Sequence, residues 1–158
     1  MNSTLDIVNV LEFLKNMPLE PKSEIQIIGA SSAQFEGDHI IRLEVQILDT
    51  QWNHTLFYFR VDPYGALRIS HGHCPPIHPS RIKVAAEAVQ QQYRKRVPLG
   101  IVQACLLMGR PAIMAEYALQ LDDEWFAGTL RPACARLLTN TMKTLYLNVI
   151  NVTTAIKK

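Results

Sequence analysis

The apolar positions of this chain follow two rhythms, and the change between them falls near residue 80. Ile41, Leu43, Val45 and Ile47 alternate with Arg42, Glu44 and Gln46, the two-residue period of a strand with one face buried. Thr55, Phe57, Phe59 and Val61 repeat the pattern, Ile25 and Ile27 alternate with Glu24 and Gln26, and Leu67 and Ile69 make a shorter run. Turn-forming residues separate these runs at 36–38, 49–53 and 62–65. Such short connections favour antiparallel neighbours, because a parallel crossover needs about a dozen residues or more. A four-stranded antiparallel meander is therefore expected within 24–70.

In front of it, Ser3 and Asp6 have the spacing of a capping box, and Ile7, Val8, Leu11 and Leu14 follow at helical spacing. Val10 and Phe13 widen that stripe, and Pro18 and Pro21 stop it, so a helix is predicted over 4–16. Beyond Pro79, the residues Ile82, Ala85, Val89 and Tyr93 line one helical face, opposite Arg81, Lys83, Glu87, Gln91 and Lys95. Pro98 ends that helix. Residues 99–108 are apolar nearly all round and read as a buried helix capped by Gly109. Pro111 opens a further segment to about Leu121, and Asp122, Asp123 and Glu124 mark a fresh helix start. Residues 132–143 read as helix. Leu145–Thr153 has strand-like composition, yet it prolongs the stripe of Leu138, Met142, Leu145 and Val149, and helix is the preferred reading. The sum is an α+β fold in one domain spanning 1–158: an N-terminal helix, a four-stranded antiparallel meander, and a mainly helical C-terminal half over 80–150.

Composition narrows the class only slightly. With 48% apolar and 19% charged residues among 158, the chain has a globular balance and enough length for a core. A net charge of +2 is too small for general affinity to nucleic acid. The longest apolar run is much shorter than the 18 or so residues a membrane span requires. The first residues lack the pattern of a secretory signal, and three cysteines form no disulfide framework. A cytoplasmic protein without membrane association is expected.

Candidate chemistry concentrates in HGHCPPIHP, residues 71–79, which hold three of the five histidines and one of the three cysteines. His71, His73, Cys74 and His78 are the ligand types zinc prefers, and a structural site needs four of them. Against that, familiar zinc modules draw ligand pairs from two separated segments, and the same residues fit a polar connection whose histidines are exposed or cap backbone groups. Cys74 also reads as a nucleophile assisted by His71 or His73, or as an inert half-buried thiol. The basic cluster Arg94, Lys95 and Arg96 fits either phosphate binding that weakens with salt or a helix end where cations complement the dipole. Asp122–Glu124 has the same ambiguity between a carboxylate site and an ordinary helix start. No Gly-rich phosphate loop, His-Glu-x-x-His or Gly-x-Ser-x-Gly pattern is present.

The order of a leading helix, a meander, a proline-bearing loop and trailing helices resembles the layout of ubiquitin-conjugating enzymes and their RWD-type relatives. The resemblance implies thioester chemistry at a cysteine after the fourth strand, the position of Cys74. His78-Pro79 is similar to the His-Pro-Asn signature, with Ser80 in place of the asparagine and with Cys74 before the motif rather than after it. The usual Tyr-Pro element is missing, since Gly65 follows Tyr64.

The functional expectation is a non-enzymatic interaction protein, an adaptor or dedicated chaperone, that binds a protein partner through its sheet and an apolar helical surface. Leu56 and Tyr58 point away from the core positions Phe57 and Phe59, and Trp52 and Trp125 read as core or interface anchors. The apolar excess also suggests a homodimer. No cofactor is expected apart from the zinc alternative.

Overall fold

A computed structural model describes residues 5–49, 51–95 and 101–156, with side chains for all of these except 92–95. The elements in chain order are α1 (Ile7–Lys15), β1 (Ile25–Phe35), β2 (Asp38–Leu48), β3 (Trp52–Val61) and β4 (Leu67–His73). A 3-10 turn at Pro79–Arg81, α2 (Ile82–Lys95), β5 (Ile101–Leu107), β6 (Arg110–Leu119), α3 (Asp123–Ala127) and α4 (Arg131–Ile156) follow. The strands are ordered β1-β2-β3-β4-β6-β5 in one sheet.

The first helix begins later than the expected residue 4. Asp6 is its cap, and the carboxylate accepts from the Val8 N–H at 2.9 Å. Ser3, the other half of the expected capping box, lies outside the described residues. Asn16 ends the helix just before Pro18.

β1, β2 and β3 pair antiparallel as the alternation requires. Ile41, Leu43, Val45 and Ile47 face Phe59, Phe57, Thr55 and Asn53, while Arg42 and Glu44 face Tyr58 and Leu56. A bulge at Ile27–Gly29 interrupts the β1–β2 ladder. The β1–β2 hairpin turns on Glu36-Gly37, both at positive φ (51° and 84°), the geometry of a two-residue turn matching the strand twist.

The C-terminal half departs from its mainly helical expectation. The stretch read as a buried helix over 99–108 is the strand β5 across its described part, and the segment from Pro111 lies in β6. The sheet therefore has six strands rather than four. Gly109 does not cap a helix. It shares positive φ with Met108 (79° and 51°), and the pair forms the same two-residue turn as Glu36-Gly37. A residue-glycine pair serves a helix end and a hairpin equally well, and a short run without alternation does not tell a buried helix from a strand. This β5–β6 hairpin also breaks the resemblance to the conjugating-enzyme layout, whose meander is followed by helices. Pro98, the expected helix stop, lies outside the described residues. The tail keeps its helical reading, because α4 runs unbroken through Leu145–Thr153.

The chain divides into two compact units, residues 1–69 with 118–143 and residues 70–117 with 144–158. In the first, Val10, Phe13 and Leu14 of α1 are buried, as are Ile41, Leu43, Val45, Phe57 and Phe59. Leu138 and Met142 of α4 belong to the same core. Phe13 meets Phe126 of α3 edge to face at 5.3 Å and 88°. Full burial of each such side chain is worth roughly 1.5–3 kcal/mol, which is what the regular alternation supplies. In the second unit, Val102, Ile113 and Ala115 are buried with Ala85 and Val89 of α2 and with Leu145, Val149 and Val152 of α4. Among the described residues no helix is long and apolar enough to cross a membrane.

Candidate functional site

The four residues of the 71–79 stretch are placed for different local tasks. His71 shares the buried face of β4 with Leu67 and Ile69, and its ring lies 5.7 Å from that of Tyr146 on α4. His73 has the same parity but sits at the strand end and is exposed. Gly72, between them, leaves room for Met114: a Cβ there would stand 2.2 Å from its sulfur, so that side chain would have to shift. Cys74 is half-buried just past the strand. His78 is a cap, since its Nδ1 accepts from the Ser80 N–H at 3.2 Å and lies 2.8 Å from the Ser80 hydroxyl at the start of the 3-10 turn. The next peptides are ordered by a tight turn in which the Ile77 N–H donates to the Pro75 carbonyl at 2.8 Å. Among the described residues no three of His, Cys, Asp and Glu gather as a metal would need.

The other charged candidates are accounted for locally. Asp122 caps α3 by accepting from the Glu124 N–H at 3.1 Å. Asp123 accepts from the Asn9 side chain at 3.0 Å, and Glu124 accepts from both the N–H and the hydroxyl of Thr129. That run of acids is helix-start chemistry, which consumes its lone pairs. In the basic cluster, Arg94 and Lys95 occupy the last positions of α2, and Arg96 lies outside the described residues.

A cleft of about 250 Å³ has apolar walls from Pro18, Leu19 and Ala135 beside the polar residues Glu24, Arg136 and Lys143. Lys143 is ion-paired with Glu24 across it. Its volume falls short of the roughly 300–1,000 Å³ of typical small-ligand pockets, and of its two cations Lys143 is already ion-paired.

The broadest candidate surface is the outer face of β1–β3. Register places Leu48 opposite Trp52, Gln46 opposite His54, Glu44 opposite Leu56 and Arg42 opposite Tyr58, all directed away from the core. Leu48 and Trp52 are 41% and 44% exposed, and Leu56 and Tyr58 are half-buried. Glu44 lies 3.8 Å from Arg42 and 3.6 Å from His54, an exposed triplet beside this apolar strip. Such pairs contribute little stability, so the strip's value lies in its shape and mixed chemistry. An aromatic and aliphatic centre with an arginine and a polar margin is the composition of protein–protein interfaces.

Sequence alternation marked Leu56 and Tyr58 on this face but put Trp52 in a turn. β3 starts earlier than the turn chemistry of 49–53 suggests, and Trp52 joins Leu48 at the sheet end. The exposed apolar hairpin Ile101–Met108 was concealed by its reading as a buried helix. Comparison with protein families, with curated proteins and with solved structures found no match.

Proposed function

We propose that this chain is a non-enzymatic protein-interaction module, an adaptor or a dedicated chaperone, that holds a protein partner on the outer face of β1–β3. One observation carries the reading: Trp52, Leu48, Leu56 and Tyr58 align on a sheet face whose opposite side already packs the core. A large aromatic left 44% exposed loses apolar transfer energy that an arriving surface would recover. The helices offer less to a partner. Among the described residues, their large exposed apolar side chains, Val8 on α1 and Leu147 on α4, stand singly. The reading is accordingly narrower than the combined sheet and helical surface expected from sequence.

The test is reciprocal affinity purification of the tagged chain from its native host, wild type beside Trp52→Glu with Tyr58→Glu. Both side chains lie outside the core, so the melting temperature is expected to hold. A specific partner should be recovered with the wild type and weakened by about 30-fold in the double variant, the loss of a typical hot-spot pair. Equal recovery by both proteins, or none by either, would reject the proposal.

A further inference from the structure

β1 ends the sheet on the side of the first unit. It pairs with β2, and among the described residues no strand lies on its other side. The ladder with β2 shows which of its backbone groups point outward. Leu48 N–H donates to the Glu24 carbonyl at 2.8 Å, so Leu48 turns its backbone towards β1, and alternate residues of β2 do the same. Glu44, Arg42, Ile40 and Asp38 share that parity and stand opposite Gly29, Ser31, Ala33 and Phe35. The residues between, Ala30, Ser32 and Gln34, therefore direct their N–H and C=O groups out of the sheet, at roughly 6.8 Å spacing.

The same stretch is uncovered on both faces. Ser32 and Gln34 stand opposite Ile41 and His39, on the face that packs the core, yet both are exposed. Ser31 and Phe35 on the other face are exposed as well, Phe35 at 60%. The residues leading into and out of β1 are all described, and their course leaves this stretch open. Proteins usually guard such an edge with charge or proline, and β1 has neither. Its bulge interrupts only the start, at Ile27–Gly29, and there it has a second consequence. Ile28 is turned outward, 48% exposed, onto a groove of about 450 Å³ between β1 and the end of α1. Met17, Leu19 and Ile27 add apolar walls to this groove, and Lys15 is the one charged residue among those lining it. Ala30 belongs to both features, lining the groove and opening the outward ladder.

We infer that β1 is a strand-addition site: an extended segment of a partner protein pairs with residues 30–34 through its backbone and sets an apolar residue, next to an aspartate or glutamate, in the groove beside Lys15. Two complementarities select this occupant. An outward ladder of alternating donors and acceptors is satisfied by another extended backbone, whereas a helix has already spent its own groups. A groove whose single charge is a cation favours an acidic neighbour over a basic one. The site uses the edge of the sheet and not the outer face of β1–β3, so either assignment stands or falls without the other.

Selection of short random peptides displayed on phage against the immobilised full chain tests this, with the best peptide synthesised and titrated by fluorescence anisotropy. Enriched peptides should share an apolar residue next to Asp or Glu. Ser32→Pro removes an N–H that the ladder with β2 does not use and blocks the edge, so it should weaken the peptide by about tenfold or more at an unchanged melting temperature. Gln34→Pro repeats the block on the same side if Ser32→Pro melts early. Ser32→Ala keeps the backbone donor and should bind as wild type. Lys15→Glu should weaken the acidic peptide by about fivefold. Trp52→Glu with Tyr58→Glu should leave peptide binding unchanged. Failure to enrich any sequence overturns the inference, as does a peptide that binds the proline variants normally. Loss of the peptide in the Trp52/Tyr58 variant alone would assign it to the outer face and overturn the edge site. A dimer in sedimentation velocity that Ser32→Pro dissociates would give the edge to a second copy of the chain and overturn the partner assignment.

Discussion

At Asp62 one carboxylate closes the turn between β3 and β4. Its Oδ1 accepts from the N–H groups of Tyr64 and Ala66, both at 2.9 Å, and Oδ2 accepts from Arg68 Nε at 2.9 Å. The Ala66 backbone bond, with the Arg68 contact and the Tyr64 bond, outweighs burial and holds the carboxyl below its ordinary 3.8. A carboxyl depressed in the folded state adds stability above its unfolded value and loses it as pH falls through the folded one. Asp62→Asn should therefore lower the melting temperature at neutral pH, with the gap to wild type closing as pH drops below the carboxylate range. A constant gap down to strongly acidic pH would show that the charge is irrelevant and only the shape matters. The turn was legible in Asp62-Pro63-Tyr64-Gly65, and Gly65 does adopt positive φ (84°). The tie to Arg68, two residues into the following strand, was not, because it depends on where β4 turns its side chains.

Among the elements, α1 shows how a short helix holds its place. Nine residues are too few to be stable alone, so its position rests on what it buries. Phe13 stacks edge to face on Phe126, and the Arg131 guanidinium lies 5.6 Å from the Phe13 ring centre. Phe13→Ala should cost about 3–5 kcal/mol in denaturant titrations, the range for a buried aromatic truncation, while Phe13→Leu should cost less than about 1.5 kcal/mol. Similar losses for both would mean that the ring geometry, not the volume, is what matters. The helix was legible because its stripe is regular and prolines bound it. The β5–β6 hairpin was not, because the same mostly apolar run satisfies two local descriptions. What decided between them was a partner strand: β6 supplies the ladder, and α2 packs against β5.

The histidine-rich stretch makes the same point for the candidate site. Four residues with zinc-like chemistry stood within eight positions, and the fold sends one to a buried face, one to a strand end, one to a half-buried position and one to a cap. The surface proposed instead is carried by residues of ordinary type whose significance is positional.

For the whole molecule, α4 is one of three elements, with β4 and β6, whose residues are divided between the two compact units, α4 at Lys143. Cys134 near its start is fully buried, and that desolvation pushes its thiol up to about 12. The thiolate is the reactive form, so alkylation at mildly alkaline pH should modify Cys74 and Cys105 in the native protein and leave Cys134 untouched until denaturant is added. Mass-spectrometric mapping would read this directly. Labelling of Cys134 at a rate comparable to Cys105 under native conditions would mean that the first turns of α4 open readily.

By itself the sequence determined the alternation of the first four strands, the first helix to within a few residues, and that an α+β chain would result, because period, proline and turn chemistry act between near neighbours. It could not determine the state of 101–119, the separation of the four histidine and cysteine candidates, or which apolar side chains remain uncovered. Those outcomes depend on contacts between residues far apart in the chain. A strand becomes an edge, and an aromatic becomes exposed, only once every other element has taken its place.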